Sequence, residues 1–255
     1  EKLKQVQAEL LQAEKLDAIG RLATGIAHEV KNPLGIIMQC INYFEIHLLR
    51  ENDEARRIFK ITKDNVARAS DIIRALLNFA RATELRLEKE DANALFDNSL
   101  FLVKHIATLE SITVVKDYHK NLPKVSVDKG KMEHVFINLF TNAIEAMPSG
   151  GTMTLRTYLR RIDELDMGVQ FLTGTFFRND EKVVVMEVED TGEGISEQDL
   201  NKIFEPFFTT KDTGKGTGLG LPIAKSIVEM NKGYIKLDSL KGKGTKVSIY
   251  FRAAD

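Results

Sequence analysis

Five short stretches of this chain carry residues able to do chemistry. The first, HEVKNP, sets His28 directly before Glu29, with Asn32 one helical turn on and Pro33 after it. An imidazole beside a fixed carboxylate is a nucleophile with a base at hand. A histidine on the polar side of a helix is also an ordinary surface residue, so its neighbours must decide between the two readings. Asn32 projects on roughly the same face, and Pro33 removes a backbone donor and bends the helix just past the imidazole.

The other four stretches lie in the second half. In HVFINLFTNAIEAM, Asn138 and Asn142 are four apart and share one helix face among apolar neighbours. An amide oxygen is a suitable hard ligand for Mg²⁺, although an exposed polar stripe has the same pattern. VVVMEVEDTGEGI reads as a strand ending in Asp190, with Gly192 and Gly194 beyond. It is either a plain turn or a carboxylate placed to accept from an exocyclic amine such as that of adenine. IFEPFFTTK clusters Phe204, Phe207 and Phe208 around Pro206, a pattern equally suited to a core. In TGKGTGLGLPIAKSIV, Gly214, Gly216, Gly218 and Gly220 alternate with Lys215, Thr217 and Leu219 before a helix opens. Free N–H groups at such a start suit a triphosphate, yet neither the P-loop pattern nor G-x-G-x-x-G after a strand is present.

The elements that must position these residues can be read from periodicity. Leu3, Val6, Leu10 and Ala13 form a short coiled-coil seam over residues 1–15. The stripe then resumes at Leu16, three residues on, an insertion that locally overwinds a coiled coil. Leu16, Ile19, Ala23, Ile26 and Val30 mark an amphipathic helix with His28 off its apolar stripe, facing solvent or a visiting domain. That helix continues past Pro33 through Ile36, Ile37, Cys40, Ile41, Phe44 and Leu48. A polar turn at Arg50–Asp53 leads to a second helix from Glu54 to about Thr83. One hairpin cannot cover both apolar stripes, so a homodimeric four-helix bundle is expected.

The charged run ELRLEKED, residues 84–91, marks a boundary. The domains are read as a 1–15 coiled-coil segment, a 16–85 hairpin, an 86–90 linker and a 91–255 second domain. In the last, helices are expected over Ala92–Thr108, Lys129–Met147 and Gly220–Met230. Strands are expected near 113–118, 152–159, 183–188, 233–239 and 245–251, and an extended hairpin or a mobile loop between 160 and 182. This order gives an α+β sandwich, a mostly antiparallel sheet with helices on one face.

The 255 residues, 43% hydrophobic and 29% charged, suffice for two modest domains. A net charge of −1 argues against nucleic acid and anionic membrane as partners. The single cysteine, Cys40, excludes an internal disulfide and suggests a reducing, cytoplasmic compartment. No apolar run approaches the roughly 20 residues that span a bilayer, so no direct membrane contact is expected. The chain opens within a helical pattern, as a fragment of something longer would.

Taken together and in this order, the five motifs resemble the H, N, G1, F and G2 boxes of sensor histidine kinases, whose ATP-binding half belongs to the GHKL superfamily. The forms HEVKNPLG, NAIEAM and FEPFFTTK are most similar to the nitrogen-regulation type. The resemblance implies the cofactors ATP and Mg²⁺, autophosphorylation of His28 with Glu29 as its base, and transfer onward to an aspartate of a response regulator receiver domain. It further implies phosphatase action through Asn32. By motif position, Asn142 and Glu133 would serve the metal and Asn138 the phosphate end, while Asp190, Gly192, Gly194 and Thr245 would form the adenine pocket. Lys211, Lys215, Gly216, Thr217, Gly218, Leu219 and Gly220 would line the phosphates, with residues 209–217 as an ATP lid. His134 departs from the pattern, since many relatives carry Gln there. Two other classes share part of these features: a GHKL ATPase that uses ATP as a conformational clamp, and a silent dimeric scaffold.

Overall fold

The computed structural model describes residues 34–44, 53–80, 85–109, 111–162, 177, 180–211 and 217–254. Two compact units divide at residues 83 and 84. In the first, helix α1 (34–44) is followed by helix α2 (Asp53–Ala80). The rings of Phe44 and Phe59 lie 5.7 Å apart, so the two helices pack together near their connection. Ile41 and Val66 are buried, whereas Ile36, Ile37, Tyr43, Ile58 and Ile61 remain exposed. The 1–15 seam, the turn at 50–53 up to residue 52, and the motif residues His28, Glu29, Asn32 and Pro33 lie outside the described residues.

The second unit runs β1 (Glu88–Glu90), α3 (Ala92–Leu109), β2 (Ile112–Tyr118), β3 (Lys124–Val127), α4 (Lys129–Glu145), β4 (Gly151–Arg161), β5 (Lys182–Asp190), α5 (Glu197–Leu200), α6 (Gly220–Met230), β6 (Tyr234–Leu240) and β7 (Gly244–Ala254). The strands form one sheet in the order β1-β3-β7-β5-β4-β2, with β6 also paired to β7. Among the described strands only the β2–β4 pair is parallel. β1 and β3, of three and four residues, are additions to the expected strands. Segments so short show no readable alternation.

Two aspartates start the long helices. Asp91 Oδ1 accepts from the Asn93 and Ala94 amides, and Asp128 Oδ1 accepts from the Lys131 amide at 3.0 Å. Asp128 Oδ2 also takes the Arg86 amide, and its own N–H donates to the buried Asn231 at the end of α6. α4 buries Met132, Val135, Phe136, Leu139, Phe140, Ala143 and Ile144. Its rings meet Phe96 of α3, with Phe96 and Phe136 4.8 Å apart edge to face. This stripe fixes the rotation of α4, so its opposite, polar face is set by core packing.

Directly paired residues on antiparallel strands point to the same side. Asp190 therefore shares the helix-covered face with Met186, Val188, Thr245 and Ile249. Residues Val183 and Val185 face the other way, where they pack with Ile162, Phe177, Tyr250, Tyr158 and Tyr234. The β4–β5 ladder reaches the Arg161–Lys182 pair, and Ile162 bonds onward to Glu181 and Asp180. The long connection is thus an extended hairpin at its base, and Phe177 folds back over the far face of the sheet. One end of that face is consequently covered as well, beyond the single covered face expected.

Candidate nucleotide site

α4 is the element on which the polar motifs converge. Asn138 and Asn142 stand four apart on its unbroken length, with Glu145 three further, on the face away from the aromatic core. Glu133 does not join them. It lies nine residues before Asn142, and a turn of 3.6 residues sends its side chain to about the opposite side of the helix, roughly 13 Å along the axis. The position one turn before Asn138 belongs to His134, which is exposed.

Asp190 ends β5 and is buried. Its Oδ1 accepts from the Gly192 amide at 2.8 Å and the Thr245 amide at 3.2 Å, while no described hydrogen bond falls on Oδ2. Burial lifts its carboxyl above the ordinary range; the Gly192 and Thr245 amides oppose this, and neighbouring Glu189 adds to it. The loop after Asp190 docks on the end of α4, since the Glu193 amide donates to the Ala146 carbonyl at 3.0 Å. A Cβ on Gly192 would fall 2.5 Å from that carbonyl, so only glycine admits the approach. Thr245 Oγ1 stands 3.0 Å from Ser239 Oγ, which also binds the Gly244 carbonyl and the Ile195 amide. Asp190, Ser239, Leu240, Lys243, Gly244 and Thr245 line a depression at this end of the sheet.

The glycine-rich segment reaches α4 at Asn138. A Cβ on Gly220, the first residue of α6, would fall 2.5 Å from Asn138 Oδ1, so the helix start abuts that amide. Gly218 adopts φ +65° and its carbonyl accepts from the Phe207 amide at 2.9 Å. Thr217 Oγ1 accepts from the Leu219 amide at 3.4 Å. Leu219 itself is buried. Phe207 is exposed, and the Phe204 ring carries Lys225 Nζ 5.3 Å from its centroid. Lys211 Nζ pairs with the Glu145 carboxylate and donates to Asn142 Oδ1 at 3.4 Å. Lys215 and Gly216 lie outside the described residues. Gly194, at φ +63°, packs on the Leu240 carbonyl.

Glu145 and Ser239 were not singled out from sequence. Glu145 carried a signal in its i,i+3 relation to Asn142, whereas Ser239 is brought to Thr245 only by the β6–β7 register. Among the described residues no group of three or more His, Cys, Asp and Glu side chains is placed to hold a metal. The oxygens gathered at Asn142 and Glu145 already attract a cation, the Lys211 ammonium. They fit a metal that takes one or two protein oxygens and completes its shell with water and phosphate, as Mg²⁺ does.

Comparisons with known proteins identify the family. Residues 127–255 match the family described as "Histidine kinase-, DNA gyrase B-, and HSP90-like ATPase", and residues 18–85 match the "His Kinase A (phospho-acceptor) domain". The sensor kinase CckA of Brucella abortus (strain 2308) is 39% identical over 251 residues, 97% of this chain and 25% of that protein. The sensor histidine kinase ZraS of Escherichia coli O157:H7 is 32% identical over 245 residues, 96% and 48% respectively. The chain thus spans about a quarter to a half of the length of these curated relatives. The crystal structure of histidine kinase ThkA in complex with response regulator protein TrrA shares the fold, with TM-score 0.65 and 23% identity, over 100% of this chain and 67% of that one. No described helix is long and apolar enough to cross a membrane.

Proposed function

From the premise that this chain belongs to the sensor histidine kinases, with a phospho-acceptor module followed by an ATPase module, we propose that it transfers the γ-phosphoryl of ATP to His28 and then to an aspartate of a receiver domain. The observation that carries this reading is the convergence on one face of α4 of Asn138, Asn142, Asp190's loop and the start of α6, in a chain that also bears HEVKNP.

In this reading Asp190 Oδ2 accepts from the adenine amine, while the amides of Gly192 and Thr245 hold the carboxylate in place through Oδ1. The N–H groups at the start of α6 receive phosphate oxygens, with Gly218 and Gly220 allowing the close approach, and Lys211 and Lys215 adding charge. Asn142 is the principal metal ligand, and Asn138 supports the phosphate end. Mg²⁺ bound there supplies neutralisation of charge on the phosphoryl oxygens. Glu29 takes the proton from Nδ1 of His28, and Nε2 attacks. The P–N bond forms as the bond from the γ-phosphorus to the bridging oxygen breaks, and ADP leaves with the electron pair. Asn32 orients a water for hydrolysis of the regulator's phosphoaspartate.

Exposure of Ile36, Ile37, Tyr43, Ile58 and Ile61 on α1 and α2 supports a homodimer whose hairpins pair as a four-helix bundle. The complex of ThkA with TrrA supports a response regulator as the onward partner. Domain limits of 16–85 and 91–255, a cytoplasmic setting, and the nitrogen-regulation subtype suggested by NAIEAM and FEPFFTTK complete the proposal. The relatives reported above bear other names, so phosphotransfer profiling against a panel of receivers decides the subtype.

The central test is His28→Gln, incubated with γ-labelled ATP. It is expected to lose acid-labile labelling while still binding nucleotide. Undiminished labelling of that variant overturns the assignment, and ATP turnover without any phosphohistidine in the wild type returns the chain to the clamp ATPases.

A further inference from the structure

Lys211 occupies the oxygens of Asn142 and Glu145, which fit a divalent cation. Its ammonium pairs with the Glu145 carboxylate and donates to Asn142 Oδ1 at 3.4 Å. Asn142 and Glu145 are three apart on α4 and so offer their oxygens on one face. The side chains of Lys211 and Glu145 are 34% and 46% exposed, so this pair contributes little to stability. Its consequence is occupancy. An ammonium and a divalent cation compete for the same lone pairs and repel one another at this separation, so they exclude each other. A nucleotide's phosphates change the balance twice over: they give the ammonium another anionic partner, and they bring Mg²⁺ ligands that the protein does not provide.

We propose that Lys211 is a resident counter-cation of the Asn142–Glu145 pair, keeping a free divalent cation out until phosphates draw the ammonium away, so that metal enters only together with nucleotide. This rests on reading the polar face of α4 as the metal end of a nucleotide site. The lysine therefore has two alternating partners, α4 in the empty protein and phosphate in the loaded one. The order of binding follows from charge already built into the chain.

The test uses the whole 255-residue chain with Mn²⁺ as the probe, its binding followed by electron paramagnetic resonance and by water proton relaxation, with and without ADP. The wild type is expected to take Mn²⁺ at this site only when ADP is present. Without ADP, Lys211→Met should bind Mn²⁺ at least tenfold more tightly than the wild type, and adding Asn142→Ala should remove the gain. Lys211→Arg, which keeps the charge, should behave as the wild type. Equal Mn²⁺ affinity of the wild type and Lys211→Met without ADP overturns the proposal, as does a gain that survives Asn142→Ala. Should folded wild type and Lys211→Met both fail to take Mn²⁺ even with ADP, the nucleotide reading of α4 fails and the proposal falls with it.

Discussion

The Phe207 amide donates to the Gly218 carbonyl across 2.9 Å, and both residues sit in the left-handed region, at φ 70° and 65°. This bond ties the aromatic motif to the glycine-rich one. For Phe207 that backbone conformation is unusual, and it leaves the ring exposed. The residue opposite must be glycine, because a Cβ at Gly218 would run into the Phe207 backbone.

Gly218→Ala should therefore act on the site more than on the fold. Positive φ and the backbone collision together break this bond, and the amides at the start of α6 lose their setting. A drop of about tenfold in affinity for a fluorescent ADP analogue is expected, with a melting temperature within a few degrees of the wild type. Unchanged affinity would show the bond to be irrelevant to nucleotide binding.

Asp190→Asn separates binding from stability. Burial raises the Asp190 carboxyl above its ordinary value, so the folded state holds that proton to higher pH than the unfolded chain does. Between the two values stability falls as pH rises, and above them the ionised carboxylate is a standing penalty. The amide variant keeps an acceptor for the Gly192 and Thr245 N–H groups without the charge. At pH 7 it should melt at or above the wild type, with the advantage shrinking toward pH 4, while affinity for the nucleotide falls at least tenfold. Scanning calorimetry across pH and nucleotide titration check the two halves; a lower melting temperature at pH 7 contradicts the first.

The turn between β6 and β7 offers a paired comparison. Gly242 and Gly244 both have positive φ, but a Cβ on Gly242 would meet nothing within 4 Å, whereas one on Gly244 would strike the Asp190 carbonyl. Gly242→Ala should destabilise by about 1 kcal/mol, the conformational cost alone. Gly244→Ala should cost at least twice as much and also weaken nucleotide binding, because it displaces the strand end that carries Asp190. Urea titration of both variants measures the difference.

Asn32→Ala probes the second activity assigned to the phospho-acceptor motif. Labelling of His28 from ATP should persist, and dephosphorylation of a phosphorylated receiver should be lost. Equal loss of both would make Asn32 a structural residue.

What could be read from the residues alone follows the strength of local signals. α6 runs over Gly220–Met230 as expected, because glycines precede it and a regular apolar period fills it. β5 was similarly plain, since an unbroken valine-rich run ending at an aspartate and glycines leaves few alternatives. β1 and β3 escaped because they are too short for any period. Phe177 escaped because its packing on Val183, Val185 and Tyr250 depends on how a long connection folds back. On α4, counting along the helix was enough to join Asn138 with Asn142 and enough to separate Glu133 from them. The bond from Lys211 to Glu145 spans 66 residues, and no local pattern announces it.

β5 works as a partition between two unlike surroundings. Its even-numbered residues, Val184 to Asp190, lead toward α4 and the candidate nucleotide site, and its odd-numbered Val183 and Val185 belong to the cluster under Phe177. Neighbours in the chain are thus exposed to separate selective demands. Changes confined to the Phe177 side can alter what the far surface offers while the side toward α4 keeps its shape, so the two surfaces of one strand are free to diversify at different rates.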